Sequence, residues 1–296
     1  MQKKNSSRKP DNGKSSRPSS HGKNQSAHRP KHTDKRSSTN GTPKAAPFRK
    51  KKAAPAIVHE DDSISVNKYI SDSGFCSRRE ADRFIEEGRA SINGKTAVKG
   101  NRVYPGDVVE VDGETLKKAS KTIYMAFNKP TGITTTTDLQ DKTNIIQYIG
   151  YPQRIFPIGR LDKDSEGLIL LTNDGDIVNK ILRAGNNHEK EYIVQVNKPV
   201  THEMVNGMRN GVPVLGTVTL PCEVVREGKN ILRIKLVQGL NRQIRRMCEY
   251  FGYEVIRLKR IRIMNITLSN LQSGTYRMLT SEEIKDMLRL VTDSRS

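Results

Sequence analysis

Phe156-Pro157-Ile158-Gly159-Arg160-Leu161-Asp162-Lys163-Asp164-Ser165-Glu166-Gly167-Leu168-Ile169-Leu170-Leu171-Thr172-Asn173-Asp174-Gly175 is the stretch from which the fold can be read. One apolar run leads into Gly159 and a second follows Gly167, with a polar loop carrying Arg160 and Asp162 between them. Asn173-Asp174-Gly175 closes the segment as a turn. Short apolar runs bounded by Gly and Asp read as buried strands. Two core strands are therefore predicted, holding a charged connection between them. Catalytic groups tend to sit on such connections, so Asp162 is the predicted centre of an active site.

Outward from this stretch, residues 121–296 read as one mixed α+β domain. Ile123 to Phe127 is a strand, and Asn128-Lys129-Pro130-Thr131-Gly132 turns the chain. Asp176 to Leu182 is a short helix. Glu191 to Val196 alternates, with Tyr192, Val194 and Val196 on one face of a strand. Thr201 caps a second helix, and Val218 to Val225 is extended. Ile231 to Val237 alternates as well: Leu232, Ile234 and Leu236 face one way, Arg233 and Lys235 the other. Asn241 to Phe251 is a helix, Tyr253 to Ile263 contains another strand, and Thr280-Ser281-Glu282-Glu283 opens a C-terminal helix. Strands and helices do not alternate as in a doubly wound parallel sheet.

Residues 63–120 form a separate small αβ unit. Val66, Tyr69 and Ile70 have helical spacing, and Gly74 ends that helix. Ser77-Arg78-Arg79-Glu80 has the pattern of a capping box, and Ala81, Phe84 and Ile85 follow as an apolar stripe up to Gly88. Asn93-Gly94 between Ala90-Ser91-Ile92 and Thr96-Ala97-Val98 marks a hairpin. Val103, Val108, Val109 and Val111 continue a short sheet. The exposed helix side carries Lys68, Arg78, Arg79 and Arg83.

Charge narrows the function classes. Residues 1–62 hold sixteen Lys or Arg against five Asp or Glu, which is +11 of the chain's +20. Their Ser, Lys, Arg, Asn, Pro and Gly composition predicts a disordered tail, serving either as an electrostatic arm for RNA or as a solubilising segment. The remaining 234 residues carry +9. A basic body implies a polyanionic partner, most simply a nucleic acid. Cys76, Cys222 and Cys248 are far apart in sequence, which argues against a metal or disulfide framework and fits a reducing cytosol. No apolar run reaches the length of a membrane span, and the basic N-terminus lacks a signal peptide's apolar core. A cytoplasmic protein is expected.

Asp162 is a lone Asp beside Arg160. The bland alternative is a loop or cap carboxylate. Asp164, Glu166, Asp174 and Asp176 read as turn formers and solubilising charges. On the helix over Asn241 to Phe251, Ile244, Met247, Cys248 and Phe251 make one apolar stripe. Of the nearby arginines, Arg245 lies closest to that stripe, placed to half-bury and pair with a carboxylate. Arg242 and Arg246 lie further round, toward solvent or RNA. A generic basic helix is the alternative. Tyr192 is either a core tyrosine or a stacking surface with a hydroxyl for proton transfer.

Two resemblances organise these residues. Val66 to Ile70, Gly74, Ser77 to Asp82, Asn93-Gly94 and Pro105-Gly106-Asp107 resemble the small RNA-binding module of a ribosomal small-subunit protein, which implies that Lys68, Arg78, Arg79 and Arg83 hold RNA phosphates. Asn128-Lys129-Pro130-x-Gly132, Gly159-Arg160-Leu161-Asp162, Gly167-Leu168, Thr172-x-Asp174-Gly175, Lys190-Glu191-Tyr192 and Gly239-x-Asn241-Arg242-Gln243-Ile244-Arg245-Arg246-Met247 resemble the RsuA-like rRNA pseudouridine synthases. Within that family, Phe156 to Ser165 and Leu182 to Tyr192 are most similar to a member acting on large-subunit (23S) rRNA.

The resemblance implies a small RNA-binding αβ module followed by a mixed-sheet catalytic domain. The implied reaction is isomerisation of a flipped uridine to pseudouridine, near uridine 2604, without cofactor or metal. Asp162 is the implied catalytic carboxylate, Tyr192 stacks on the uracil, Arg245 pairs with Asp162, and Arg160 fills the space the base leaves. Arg242 and Arg246 face RNA. The implied partner is rRNA, as large-subunit RNA or an assembly intermediate, with tRNA a second substrate to test, and the protein is expected to be a monomer. The competing readings are a non-catalytic ribosome-assembly factor and a base-excising glycosidase.

Overall fold

Continuous apolar runs and alternating runs form two halves of one sheet. The computed structural model describes residues 62–117, 121–292 and 294. The predicted disordered tail, Asp62 excepted, lies outside the described residues.

The small unit runs β1 (Ile64–Ser65), α1 (Val66–Asp72), α2 (Arg78–Glu86), β2 (Ala90–Ile92), β3 (Lys95–Thr96), β4 (Arg102–Val103), β5 (Val109–Val111) and β6 (Glu114–Thr115). Its sheet has the order β3-β2-β5-β6. The expected capping box is present: Glu80 N donates to Ser77 Oγ at 3.2 Å, and Ser77 N donates to the Glu80 carboxylate at 2.8 Å. Asn93 and Gly94 both have positive φ, 51° and 75°, as a two-residue hairpin turn requires. Val66, Ile70, Ala81 and Ile85 pack on Val103, Val109 and Val111.

The larger unit continues with β7 (Tyr124–Lys129), α3 (Ile145–Ile149), β8 (Phe156–Ile158), β9 (Glu166–Thr172), α4 (Asp176–Leu182), β10 (Lys190–Val196), α5 (His202–Asn210), β11 (Pro213–Val214), β12 (Thr217–Val218) and β13 (Glu223–Gly228). It ends with β14 (Ile231–Leu236), α6 (Gln243–Tyr250), β15 (Val255–Ile263), β16 (Ile266–Thr267), β17 (Tyr276–Met278) and α7 (Ser281–Val291). The main sheet has the order β13-β14-β10-β15-β9-β7-β17, with β8 on β9 and β16 on β15. Every pairing is antiparallel except β9 with β15.

On β7 and β9, Met125, Phe127, Ile169 and Leu171 face a core shared with Ile145, Met204, Met208 and Met247. Tyr124, Ala126, Leu168 and Leu170 face a second core with Ile177, Ile181, Met287 and Val291. Helices cover both faces, so these strands read as unbroken apolar runs. The β14 side is covered on one face only. Leu232, Ile234 and Leu236 are buried there, while Arg233 pairs with Glu191 at 2.6 Å and Lys235 with Glu223 at 3.0 Å on the open face.

Two expectations change. The extended segment expected over Val218 to Val225 is two strands. Pro221, which has no N–H for a ladder, lies between β12 and β13, and β12 turns back on β11 through Leu215 and Gly216 at φ 52° and 75°. The helix expected from Asn241 begins at Gln243, because Arg242 takes a left-handed φ of 51°. Among the described residues, no helix is long and apolar enough to cross a membrane.

The parallel seam depends on one missing side chain. Gly167 pairs with Arg260 at φ +102°, and a Cβ there would sit 2.2 Å from the Arg260 carbonyl oxygen. Gly132 is also left-handed, at φ +86°, but a Cβ would meet nothing within 4 Å. Gly132→Ala should cost about 1–2 kcal/mol, the left-handed penalty alone. Gly167→Ala should cost more than about 3 kcal/mol, because backbone must also move. Denaturant unfolding of the two variants measures the difference.

Candidate active site

The loop between β8 and β9 is held largely by its backbone, which leaves the Asp162 side chain without a structural hydrogen bond among the described residues. Six successive carbonyls, 160 to 165, each accept a hydrogen bond. Arg260 Nη1 donates to Arg160 O at 3.5 Å and Thr135 Oγ1 to Leu161 O at 2.7 Å. Ser165 N reaches Asp162 O at 3.0 Å, and Gly132 N reaches Lys163 O at 2.7 Å. Arg245 Nη2 donates to Asp164 O at 3.1 Å, and Lys129 Nζ to Ser165 O at 2.8 Å. Three of the six donors are buried cations: Lys129, Arg245 and Arg260. Burial pushes the Lys129 ammonium down to about 8, against the opposing charges of Asp164 and Asp162.

Asp162 sits in this frame with its side chain 31% exposed, and its Oδ2 lies 3.8 Å from Arg242 Nη1. It lines a cavity of about 380 Å³. One wall is the 159–165 loop and the opposite wall is the Gln238–Arg242 segment before α6. Lys190 and Tyr192 on β10 and Leu258 and Arg260 on β15 also line it. Tyr192 is 8% exposed and lies opposite Arg260 in the strand register. Arg260 Nη1 is 3.5 Å from the Tyr192 hydroxyl, and its guanidinium carbon is 5.9 Å from the ring centroid.

The structure brings Asp162, Arg160, Tyr192 and Arg242 to one cavity, and it corrects the expected ion pair. Arg245 is buried as its helical phase requires, but it pairs with Asp164 at 3.3 Å and bonds Ser165 Oγ and the Val255 carbonyl. Arg242, expected at solvent or RNA, is the guanidinium beside Asp162 and also binds Asp164 through two nitrogens at 3.2 Å. The left-handed Arg242 backbone turns its side chain back over the loop, whereas Arg245 emerges one turn deeper. Asp164 is thus an anchor. Burial would raise its carboxyl, but the Arg242 hydrogen bonds and the Arg245 and Arg242 charges outweigh that and hold it below the usual range. Arg246 donates to Asn241 O at 3.2 Å.

The basic face of the small unit is also revised. Lys68 Nζ pairs with Asp72 at 2.8 Å and with Asp176 of α4 at 2.9 Å, and Arg78 reaches Asp176 at 3.4 Å. Asp176, read as a solubilising charge, joins α1 and α2 to α4. Arg79 and Arg83 are exposed and form no ion pair among the described residues. Of the remaining loop acids, Glu166 pairs with Arg257 at 2.7 Å, and Asp174 accepts from the Tyr124 hydroxyl at 2.7 Å.

Lys129, Lys190 and Arg260 were not singled out as site residues from the sequence. The signal for two of them was present. Lys190 has the same parity as Tyr192, Val194 and Val196, and Arg260 the same parity as Leu258, so period-two alternation assigns both to a buried face.

Comparison with known proteins finds relatives for both units of the fold. A model of the RNA pseudouridylate synthase family matches residues 123–250, and an S4 domain model matches residues 66–109. The dual-specificity RNA pseudouridine synthase RluF of Escherichia coli K12 is 56% identical over 238 residues, covering 80% of this chain and 82% of that protein. The ribosomal large subunit pseudouridine synthase B of Bacillus subtilis is 33% identical, covering 77% of this chain and 96% of that protein. A crystal structure of a pseudouridylate synthase aligns with a TM-score of 0.57 at 28% identity, over 76% of this chain and all of the other.

The Asp164 pairing gives a pH test. A carboxyl held below its ordinary value contributes stability above that value and loses it as pH falls through the folded one. At pH 7, Asp164→Asn should lower stability by about 0.5–1 kcal/mol. The gap between wild type and variant should close as pH falls below about 4. Unfolding titrations across this range measure it.

Proposed function

The chain belongs to the RNA pseudouridine synthase family, and we propose that it isomerises a uridine of large-subunit (23S) rRNA, near uridine 2604, with Asp162 as the reacting carboxylate. The observation that carries this reading is the display of Asp162: its loop is tied at six carbonyls, while its carboxylate faces a cavity shared with Tyr192. The 56% identity to RluF supports the rRNA target. A tRNA uridine is the second substrate to test, in keeping with the dual-specificity name of that relative.

The target nucleotide flips out of its stack at a cost of a few kcal/mol and enters the cavity. The N1–C1′ bond breaks, the uracil turns, and a C5–C1′ bond forms. Asp162 either attacks C1′ or takes the 2′ proton to give a glycal. Tyr192 supplies a ring surface for the uracil and a hydroxyl near the path of the C5 proton. Arg242 accompanies Asp162, and Arg245 acts one step back by fixing Asp164 and Ser165. Arg160 at the cavity mouth takes the space the base vacates. Restraining the loop backbone in advance means that little must reorganise when charge develops.

Phosphate contacts fall to Arg79 and Arg83 on the small unit and to Arg246 beside the cavity, because Lys68 and Arg78 are engaged by Asp176.

Asp162→Asn should reduce tritium release from C5-labelled RNA by more than about 10³-fold with little change in filter-binding affinity. Retained turnover would overturn the assignment. Replacing both Arg79 and Arg83 by Ala should make the salt dependence of RNA binding shallower by about 1.5 in the log–log slope. Lys68→Ala should leave that slope unchanged. The comparison needs only binding isotherms at a series of salt concentrations.

A further inference from the structure

Two buried cations in the cavity wall have no carboxylate. Lys190 is 7% exposed and Arg260 is 4% exposed. Both line the cavity that holds Asp162 and Tyr192. Lys190 Nζ donates to the carbonyls of His188 at 3.0 Å and Val237 at 3.4 Å. Arg260 Nε donates to Leu168 O at 2.7 Å, while its Nη2 is buried without a hydrogen-bond partner. Among the described residues, neither cation forms an ion pair. Elsewhere in the larger unit Arg233, Arg242, Arg245, Arg257, Arg262 and Arg277 all meet Asp or Glu, and buried Lys129, which bonds only carbonyl oxygens, still feels the charges of Asp164 and Asp162.

Burying two like charges together without a counterion is costly. Burial, and then the nearby Arg260 charge, pushes the Lys190 ammonium down to about 8. The arrangement is favoured once negative charge enters the cavity. Breaking the N1–C1′ bond creates such charge. The bonding electron pair stays on N1, and the departing base is a uracil anion with charge spread over N1, O2 and O4.

We propose that Lys190 and Arg260 are catalytic residues that stabilise this uracil anion while it is detached from the ribose. The inference rests on Asp162 acting at the sugar. C1′ bonds to an Asp162 oxygen, or the sugar gives its 2′ proton to Asp162 and becomes a glycal. The uracil anion turns in the field of Lys190 and Arg260, and C5 bonds to C1′ as the C1′–oxygen bond to Asp162 breaks or as C2′ takes its proton back from Asp162. The C5 proton then leaves to solvent and N1 gains a proton from solvent. No oxidant, reductant or further group is required. The strand positions of the two cations also fit a base better than a phosphate. They are buried in the sheet, whereas Arg160, which also lines the cavity, is exposed.

Leaving-group chemistry separates this role from a structural one. Fluorine at C5 withdraws electrons and stabilises the detached base, so a 5-fluorouridine target depends less on protein cations. Single-turnover consumption of the target nucleoside is measured on RNA carrying uridine or 5-fluorouridine there, with wild type, Lys190→Met, Lys190→Gln and Lys190→Arg. Lys190→Met and Lys190→Gln should slow the uridine reaction by about 10²-fold or more and the 5-fluorouridine reaction at least about tenfold less than that. Lys190→Arg, which keeps a cation, should recover most of the uridine rate. Equal losses on the two substrates would overturn the proposal, as would loss of RNA affinity with an unchanged rate at saturation, the signature of a phosphate contact. Asp162→Asn serves as the control. Activity in that variant would refute the role of Asp162 itself, whereas a silent Asp162→Asn with equal Lys190 losses would refute only the uracil-anion site.

Discussion

Everything at this site depends on how the backbone of residues 160–165 is held. Each carbonyl is occupied, and Lys129, Arg245 and Arg260 supply half of the donors from the protein interior. Cations suit this work because a charged donor makes a stronger hydrogen bond to a carbonyl than a neutral one does. Because the backbone carries the restraint, Asp162 needs no structural bond of its own. Its closest charged partner is a half-exposed arginine at 3.8 Å, which leaves the carboxylate open toward the cavity.

Asp164 divides the labour among the charges. It takes the bidentate interaction with Arg242 and the buried charge of Arg245, the role the sequence suggested for Asp162. Of these two carboxylates, two residues apart, Asp162 lines the cavity and Asp164 does not. Asp164 locks the loop on the arginines at and within the start of α6, and Asp162 is left facing the cavity.

Much of this was legible in the sequence, and what was missed has identifiable causes. Apolar runs bounded by glycines marked β8 and β9, and period-two alternation marked β10 and β14, because burial on one or both faces writes itself directly into residue order. Helical phase gave the burial of Arg245 but not its partner, since a wheel specifies direction and not what waits there. Lys68 and Arg78 looked like an RNA face because Asp176, 108 and 98 residues away from them, was invisible as their counterion. Lys190 and Arg260 were legible by parity but were not singled out, because a lysine or arginine on a core face has no evident use until the cavity beside it is seen. The helix α3 spans Ile145–Ile149, too short for periodicity to signal.

The parallel pairing of β9 with β15, at Gly167 and Arg260, also joins the two sides of the site. Antiparallel neighbours such as β13 and β14 close over a short turn, but β9 and β15 lie far apart in the chain, with β10, β14 and α6 between them in sequence. Loop closure of that length is entropically late. The Asp162 loop and the Tyr192–Arg260 wall arrive on opposite sides of this seam, so a chain emerging from the ribosome carries Asp162 long before it carries a pocket. The pocket beside Asp162 is complete only when β15, which brings Leu258 and Arg260, lies between β10 and β9.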